Sequence, residues 1–120
     1  MAIAKKPMSA EKALQRLETQ CAAKEICTRE AYEKLRRWLV SPDDAIKVVD
    51  GLVERRFIDD RRFGRAFVRD KAMFARWGRL KIAMALRHKG FGREMIADAL
   101  DAIDRDAYVE TLDSLVAAKS

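Results

Sequence analysis

The apolar residues of this chain recur at helical spacing along nearly its whole length. Residues at positions i, i+3, i+4 and i+7 share one face of an α-helix, whereas strand side chains alternate at every second residue. Runs of β-branched residues are absent, and only five glycines and two prolines interrupt the 120 residues. The pattern therefore predicts an all-α fold with six helices, each of about 10 to 16 residues.

Short polar residues and glycines mark the predicted helix ends, because they satisfy the first N–H groups of a helix or follow its last turn. The predicted N-caps are Ser9, Thr28, Ser41 (followed by Pro42, Asp43 and Asp44) and Asp59, while Gly90 and Gly92 flank the turn before the sixth helix. The predicted inward-facing residues are, helix by helix, Ala13, Leu14, Leu17 and Cys21; Ala31, Leu35, Trp38 and Leu39; Ala45, Ile46, Val49, Leu52 and Val53; Phe63, Phe67 and Phe74; Ile82, Ala85 and Leu86; Met95, Ile96, Ala99, Leu100 and Ile103. A last helical segment is expected from Asp106, with Tyr108, Leu112 and Leu115 inward.

The chain repeats itself at an offset of 51 residues, mostly at predicted core positions. The matched pairs are Leu35 and Leu86, Ala45 and Ile96, Val49 and Leu100, Asp50 and Asp101, Leu52 and Ile103, and Phe57 and Tyr108. Such an offset is typical of helical arrays. We therefore expect tandem three-helix modules in an elongated array. Residues 1–77 would hold the N-terminal helices and the first module, and residues 78–120 the second, with a third module absent or truncated.

Positive charge is concentrated in the middle of the chain. Residues 55–93 hold thirteen Lys or Arg against three acids, whereas residues 94–120 hold two against seven, and the whole chain carries a net charge of +6. A basic surface attracts phosphate backbones or acidic proteins over roughly 8–10 Å in ordinary salt. The alternative is a solvated helical surface whose Lys and Arg serve solubility. The imbalance favours a binding surface.

The fourth predicted helix carries four arginines at the spacing of one face: Arg62, Arg65, Arg69 and Arg76. Each guanidinium presents a planar fork of donors that suits phosphates or carboxylates. The alternative is pairing with acids, but only Asp59, Asp60 and Asp70 lie nearby in the sequence, so most of this face is expected to stay unpaired. Further contacts are expected from Arg61, Lys71, Arg79, Lys81, Arg87 and Lys89, although those of the fifth helix scatter around its axis without defining one surface.

No group of residues predicts catalysis, a metal site or a cofactor. Asp59 and Asp60 stand at a helix start, where a cap and an interaction with the positive helix end are favoured over a catalytic or metal-binding pair. His88 lies among cations without a Ser or Cys nucleophile in register, and is expected at the surface. The glycine patterns of phosphate loops are missing. The sequence predicts a protein that is not an enzyme.

The cysteines and tryptophans are expected to be structural. Cys21 and Cys27 have neither a CxxC nor a zinc-ligand spacing, so burial near a helix–helix turn is favoured over a redox pair. Trp38 and Trp77 are expected to anchor the core between modules, with stacking on bases as the alternative. Neither a secretory signal nor a membrane-length apolar stretch is visible, which predicts a cytoplasmic protein.

Two motifs resemble the RecX family, bacterial regulatory proteins that modulate the RecA recombinase. The family's Ile/Leu-Asp-Asp-x-Arg-Phe-Ala helix start is matched by Ile58, Asp59, Asp60, Arg62 and Phe63, with Gly64 in place of the usual alanine. Its Gly-x-x-x-Ile-x-x-x-Leu-Arg-x-Lys-Gly helix is matched by Gly78, Ile82, Leu86, Arg87, Lys89 and Gly90, and its A-x-x-KL helix by Ala31, Lys34 and Leu35.

The resemblance implies a non-enzymatic protein that binds the RecA–DNA filament. It would inhibit ATP hydrolysis, strand exchange and co-protease activity in DNA repair and the SOS response. The basic surface would then face acidic RecA surface or the phosphates of single- or double-stranded DNA, and we expect a monomer. The alternative function is a stand-alone basic helical module that binds nucleic acid without RecA.

Overall fold

A computed structural model describes residues 6–102, in which all regular secondary structure is helical. The helices are α1 (Ala10–Ala23), α2 (Thr28–Arg37), α3 (Pro42–Glu54), α4 (Asp60–Met73) and α5 (Arg79–His88), followed by α6 over residues 93–102. The predicted all-α fold is confirmed. Ile103 and the helical segment predicted from Asp106 lie outside the described residues.

Packing divides the chain into two compact units, unit 1 through Phe63 and unit 2 from Gly64. This boundary falls inside α4 and differs from the one predicted between Trp77 and Gly78. The predicted boundary followed from the 51-residue offset, which pairs α2 with α5 and α3 with α6. Because α4 lies between these pairs, it was assigned to the first module. Within unit 2, however, a Cβ added at Gly64 would lie 3.2 Å from Phe91 Cε2 and 3.4 Å from Ala99 Cβ. The glycine therefore allows α4 to pack closely against residues of its own unit.

The core of unit 1 forms where α3 packs against both α1 and α2. Its central residues include Leu17, Leu35 and Leu52, each fully buried. The buried stripe of α3 consists of Ala45, Val48, Val49 and Leu52. The prediction that Ile46, Val53 and Leu39 face inward is wrong, since these side chains are 49%, 46% and 47% exposed. Ile46 and Val53 lie beside the stripe, and Leu39 follows the end of α2.

Most of the predicted caps are confirmed by hydrogen bonds. Ser9 Oγ accepts from the Lys12 N–H at 3.2 Å, and Ser41 Oγ accepts from the Asp44 N–H at 3.2 Å. The prediction for Thr28 is wrong: Thr28 is the first residue of α2, and the N-cap of this helix is Cys27. The Cys27 N–H donates to Glu30 Oε1 at 3.2 Å. The sequence missed this cap because cysteine is a rare N-cap residue.

The two cysteines pack in unit 1. Cys27 is fully buried, and Cys21 is half-buried against the core. Burial raises the pKa of Cys27 to about 11 and also raises the pKa of Cys21. Both thiols are therefore protonated at neutral pH, which makes them poor nucleophiles and metal ligands.

The repeat is confirmed in the backbone. Helix α5 begins and ends 51 residues after α2, and both helices end in the same turn. The Val40 N–H donates to Leu35 O at 3.0 Å, and the Phe91 N–H donates to Leu86 O at 3.1 Å. Leu39 (φ 58°) and its counterpart, the glycine at position 90 (φ 87°), adopt the left-handed conformation that this helix ending requires.

Among residues 6–102, no helix is long and apolar enough to cross a membrane.

Candidate functional site

The two aspartates at the start of α4 cap two different helices. Asp59 Oδ1 accepts from the Arg62 N–H at 3.0 Å and so caps α4, as predicted. Asp60 Oδ1 accepts from the Thr28 N–H at 2.7 Å, which places its carboxylate at the first turn of α2. Negative charge there also interacts favourably with the positive end of the helix. The pair is thus structural, but the partner of Asp60 depends on the tertiary fold and was not visible in the sequence.

Arg62, the first residue of the predicted arginine face, is a structural brace in unit 1. Its Nε donates to Glu25 Oε2 at 2.7 Å, and its Nη2 donates to the carbonyl oxygens of Arg56 at 3.1 Å and Phe57 at 3.3 Å. The hydrogen bond to Glu25 raises the pKa of Arg62. The guanidinium thereby ties the α1–α2 loop to the α3–α4 turn.

The expectation that most of the arginine face stays unpaired is wrong. Besides Arg62, Arg65 Nη2 lies 3.3 Å from Asp98 Oδ2 in a half-exposed pair of unit 2, and Arg69 interacts with other residues as well. Arg76 is not on the helix at all, because α4 ends at Met73 and Arg76 has φ 57° in the turn that follows. The acids that pair with Arg62 and Arg65 are far away in sequence, so a local count of acids could not find them.

We expect Arg62→Lys to lower the free energy of unfolding by about 1–2 kcal/mol. Arg62 uses Nε for Glu25 and Nη2 for the two carbonyl oxygens, whereas lysine has a single nitrogen and cannot supply donors at both positions. The Arg62 side chain is 44% exposed, so solvent weakens its pair with Glu25 and limits the loss of stability to this range. Urea unfolding followed by circular dichroism would measure it. The control is Arg29→Lys, the same change in the exposed pair of Arg29 with Glu33, where less than about 0.5 kcal/mol is expected. Equal effects of the two substitutions would contradict the bracing role.

Three lysines of unit 2 gather around two aromatic rings. Phe67 and Trp77 meet edge-on, with ring centroids 6.4 Å apart. Lys71 Nζ lies 4.9 Å from the centroid of Trp77 and 5.5 Å from that of Phe67. Lys81 Nζ lies 4.3 Å from the centroid of Trp77, and Lys89 Nζ lies 5.7 Å from that of Phe67. We call these five residues the lysine–aromatic cluster.

The turn after α4 positions this cluster. The left-handed residue Arg76 reverses the chain, and the Trp77 N–H then donates to Lys71 O at 2.8 Å. This bond brings the indole back to the end of α4. The sequence placed the lysines of α5 around the helix axis without a common surface. It missed the cluster because the surface is completed by Lys71 and Phe67 of α4.

The cluster has the electrostatics of an anion site. Ring faces attract ammonium groups, but three cations around one ring pair repel one another. Asp70 lies 3.6 Å from Lys71 Nζ, and its side chain is 61% exposed, so solvent weakens this pair. A phosphate or carboxylate near the three ammonium groups would relieve the repulsion.

The other residues singled out in the sequence lie mostly at the surface. His88 is exposed, as predicted, and so are Arg79, Lys81 and Arg87. Phe74 was expected in the buried stripe of α4, but it follows the helix and is 81% exposed. The residues from 6 to 102 hold no group of three or more His, Cys, Asp or Glu side chains that could bind a metal ion.

Comparison with protein families gives a match in the second half of the chain. The family described as "RecX, second three-helix domain" matches residues 59–100. This span begins at the cap of α4 and covers α4, α5 and most of α6, so it coincides closely with the helices of unit 2.

Similar proteins carry the same family name. A regulatory protein RecX from Clostridium tetani is 33% identical over 91 residues, which are 76% of this chain and 41% of the relative. One from Mycolicibacterium smegmatis is 37% identical over 79 residues, which are 65% of this chain and 42% of the relative. A crystal structure of regulatory protein RecX superposes with a TM-score of 0.72 at 23% identity, over 78% of this chain and 46% of the other. The chain thus spans about two-fifths of the length of these relatives.

Proposed function

The chain belongs to the RecX family, and we propose that it binds the RecA–DNA filament and restrains RecA activity. The activities restrained would be ATP hydrolysis, strand exchange and co-protease function in DNA repair and the SOS response. The relatives are named as regulatory proteins, which supports regulation by binding instead of catalysis. In this proposal the chain acts as a monomer in the cytoplasm, where RecA assembles on DNA.

The lysine–aromatic cluster is the observation that carries the proposal. The RecA–DNA filament presents DNA phosphates and acidic side chains, and both complement a group of three ammonium ions. The aromatic rings hold Lys71, Lys81 and Lys89 close together, so less side-chain entropy is lost when an anion binds. Trp and Tyr are also frequent among the residues that dominate binding energy at protein interfaces.

The surrounding charge supports the same surface. Residues 64–102 hold nine Lys or Arg against four Asp or Glu, and one of these acids, Asp98, pairs with Arg65. We propose that Arg69, Arg76, Arg79 and Arg87 add long-range attraction around the cluster, which raises the association rate with a polyanion. Arg62 is assigned to the fold of unit 1 and Arg65 to its pair with Asp98, so both contribute less to binding than the sequence predicted. Arg61 also interacts within the protein and receives no separate role.

The proposal predicts that this chain suppresses the DNA-dependent ATPase of RecA at less than one molecule per RecA subunit. Substoichiometric inhibition is expected because one bound molecule affects neighbouring subunits of a filament. The experiment titrates the chain against RecA on circular single-stranded DNA and follows ATP hydrolysis. The Clostridium tetani relative serves as the positive control. If the relative inhibits and this chain does not, even at equimolar amounts, then inhibition does not reside in these residues.

Co-sedimentation separates this proposal from a stand-alone nucleic-acid-binding module. The chain should pellet with RecA–DNA filaments more completely than with the same DNA alone at equal salt. Equal affinity for DNA with and without RecA would favour the stand-alone module.

A further inference from the structure

A basic groove lies between α1 and α2 of unit 1. Its volume is about 710 Å³. Five lining residues belong to α1 (Lys12, Gln15, Arg16, Thr19 and Gln20) and three to α2 and its C-cap (Lys34, Arg37 and Trp38). Because α3 packs against both α1 and α2, it fixes the walls of this groove.

Four cations line the groove, two on each wall. Lys12 and Arg16 are one turn apart on α1, and Lys34 and Arg37 are one turn apart on α2. No acid from the described residues lines the groove. Three of the four acids of these two helices are engaged elsewhere. Glu18 pairs with Arg55, Glu33 pairs with Arg29, and Glu30 accepts from the Cys27 N–H.

Aromatic and polar groups complete the lining. The guanidinium carbon of Arg16 lies 5.3 Å from the centroid of the Trp38 ring, and Trp38 packs against the core of unit 1. The contact with the ring thereby restrains the Arg16 side chain in the lining of the groove. Gln20 Oε1 is buried and has no hydrogen-bond partner among the described residues.

We propose that this groove binds a short segment of single-stranded nucleic acid through its phosphates. A positively charged groove with an aromatic side chain is the usual arrangement for binding single strands without sequence preference. The volume lies in the range that encloses a drug-sized ligand, and therefore suits about one or two nucleotides of one strand. An acidic peptide fits less well, because peptide sites use apolar pockets and Trp38 is the one large apolar side chain in this lining.

This inference does not depend on RecA. It concerns a contact in unit 1, whereas the lysine–aromatic cluster lies in unit 2. A chain with both surfaces has two places at which a nucleic-acid strand or a filament can be held.

The test measures binding of the full chain to a fluorescently labelled oligothymidylate by anisotropy, without RecA. The groove variant combines Arg16→Glu with Lys34→Glu, one change on each wall. We expect at least about a tenfold loss of affinity, and a plot of log affinity against log salt that is shallower by about 1 to 1.5. The control combines Lys24→Glu with Lys47→Glu, which changes the net charge equally at two exposed positions outside the groove. Its affinity should fall less than about threefold. Equal losses in the two variants would overturn the proposal and leave only general electrostatic attraction.

A second measurement keeps the proposal testable if the groove variant fails to fold. Trp38 and Trp77 are the two tryptophans of the chain, so Trp77→Phe leaves Trp38 as the only one. Adding the oligonucleotide should quench Trp38 fluorescence, and high salt should restore it. No change of Trp38 fluorescence at saturating oligonucleotide would overturn the proposal. So would a groove variant that keeps full oligonucleotide affinity but no longer binds a labelled polyglutamate peptide, since the groove would then be a peptide site.

Discussion

Reversing two charges of the lysine–aromatic cluster, Lys81→Glu with Lys89→Glu, is expected to raise the concentration needed to inhibit RecA about 50- to 100-fold. Both ammonium groups lie beside the ring pair, Lys81 at 4.3 Å from the Trp77 centroid and Lys89 at 5.7 Å from the Phe67 centroid. Each reversal removes an attraction to the polyanion and adds a repulsion. Together they are expected to cost about 2–3 kcal/mol of binding free energy.

The measurement is the half-inhibitory concentration in the RecA ATPase titration. Two controls make it specific. The first, Lys24→Glu with Lys47→Glu, changes the net charge equally at exposed positions of unit 1 and should shift inhibition less than threefold. The second, Lys81→Arg with Lys89→Arg, keeps the charge and the ring contacts and should inhibit nearly as the unchanged chain does. If the unit 1 variant loses as much activity as the cluster variant, net charge and not the cluster controls inhibition.

Helix ends and the repeat could be predicted because they depend on residues close together in sequence. Ser9, Ser41 and Asp59 cap their helices through bonds to an N–H three residues later. The repeat could be found because equivalent turns need equivalent apolar residues, as Leu35 and Leu86 show. Cys27 is the exception among the caps, because cysteine is not a typical N-cap residue.

The partners of the arginines could not be predicted, because tertiary structure supplies them. Arg62 finds Glu25 at 2.7 Å, although 37 residues separate the two. The count of nearby acids therefore overestimated the unpaired charge on α4. The spacing of the phenylalanines also predicted that the fourth helix continues through Phe74. In the structure α4 ends at Met73, and a turn with Arg76 in the left-handed conformation follows.

The sequence predicted the lysine–aromatic cluster only in part. The charge count identified the basic middle of the chain, and Lys71, Lys81 and Lys89 were among the predicted binding residues. Their grouping required the position of Trp77, which the bond from its N–H to Lys71 O fixes. The count of charged residues along the sequence did not indicate the basic groove of unit 1. Its four cations are offset by acids elsewhere on the same helices, so residues 1–54 are nearly neutral overall.

The largest loss of stability is expected for Leu86→Ala, at about 2–5 kcal/mol. Leu86 is completely buried on α5. Removing its side chain deletes apolar contacts and leaves a cavity among neighbours that relax only in part. Domains are stable by about 0.05–0.15 kcal/mol per residue, so a loss of this size is comparable to the whole stability of a unit this small. Leu35, its counterpart in unit 1, is buried to the same degree, and Leu35→Ala should have an effect of the same size.

Urea unfolding and amide hydrogen exchange would measure both substitutions. The matched control is Leu80→Ala, the same change on the same helix as Leu86. The Leu80 side chain is 76% exposed, and its loss should change the free energy of unfolding by less than about 0.5 kcal/mol. In the Leu86→Ala variant the α5 amides should exchange faster, because their protection depends on the stability that this core residue provides. A cost below about 1 kcal/mol for Leu86→Ala, or an equal cost for Leu80→Ala, would mean that α5 does not pack as described. Leu35 and Leu86 would then be equivalent in the hydrogen bonds of the turns that follow their helices, but not in their contribution to the stability of the two cores.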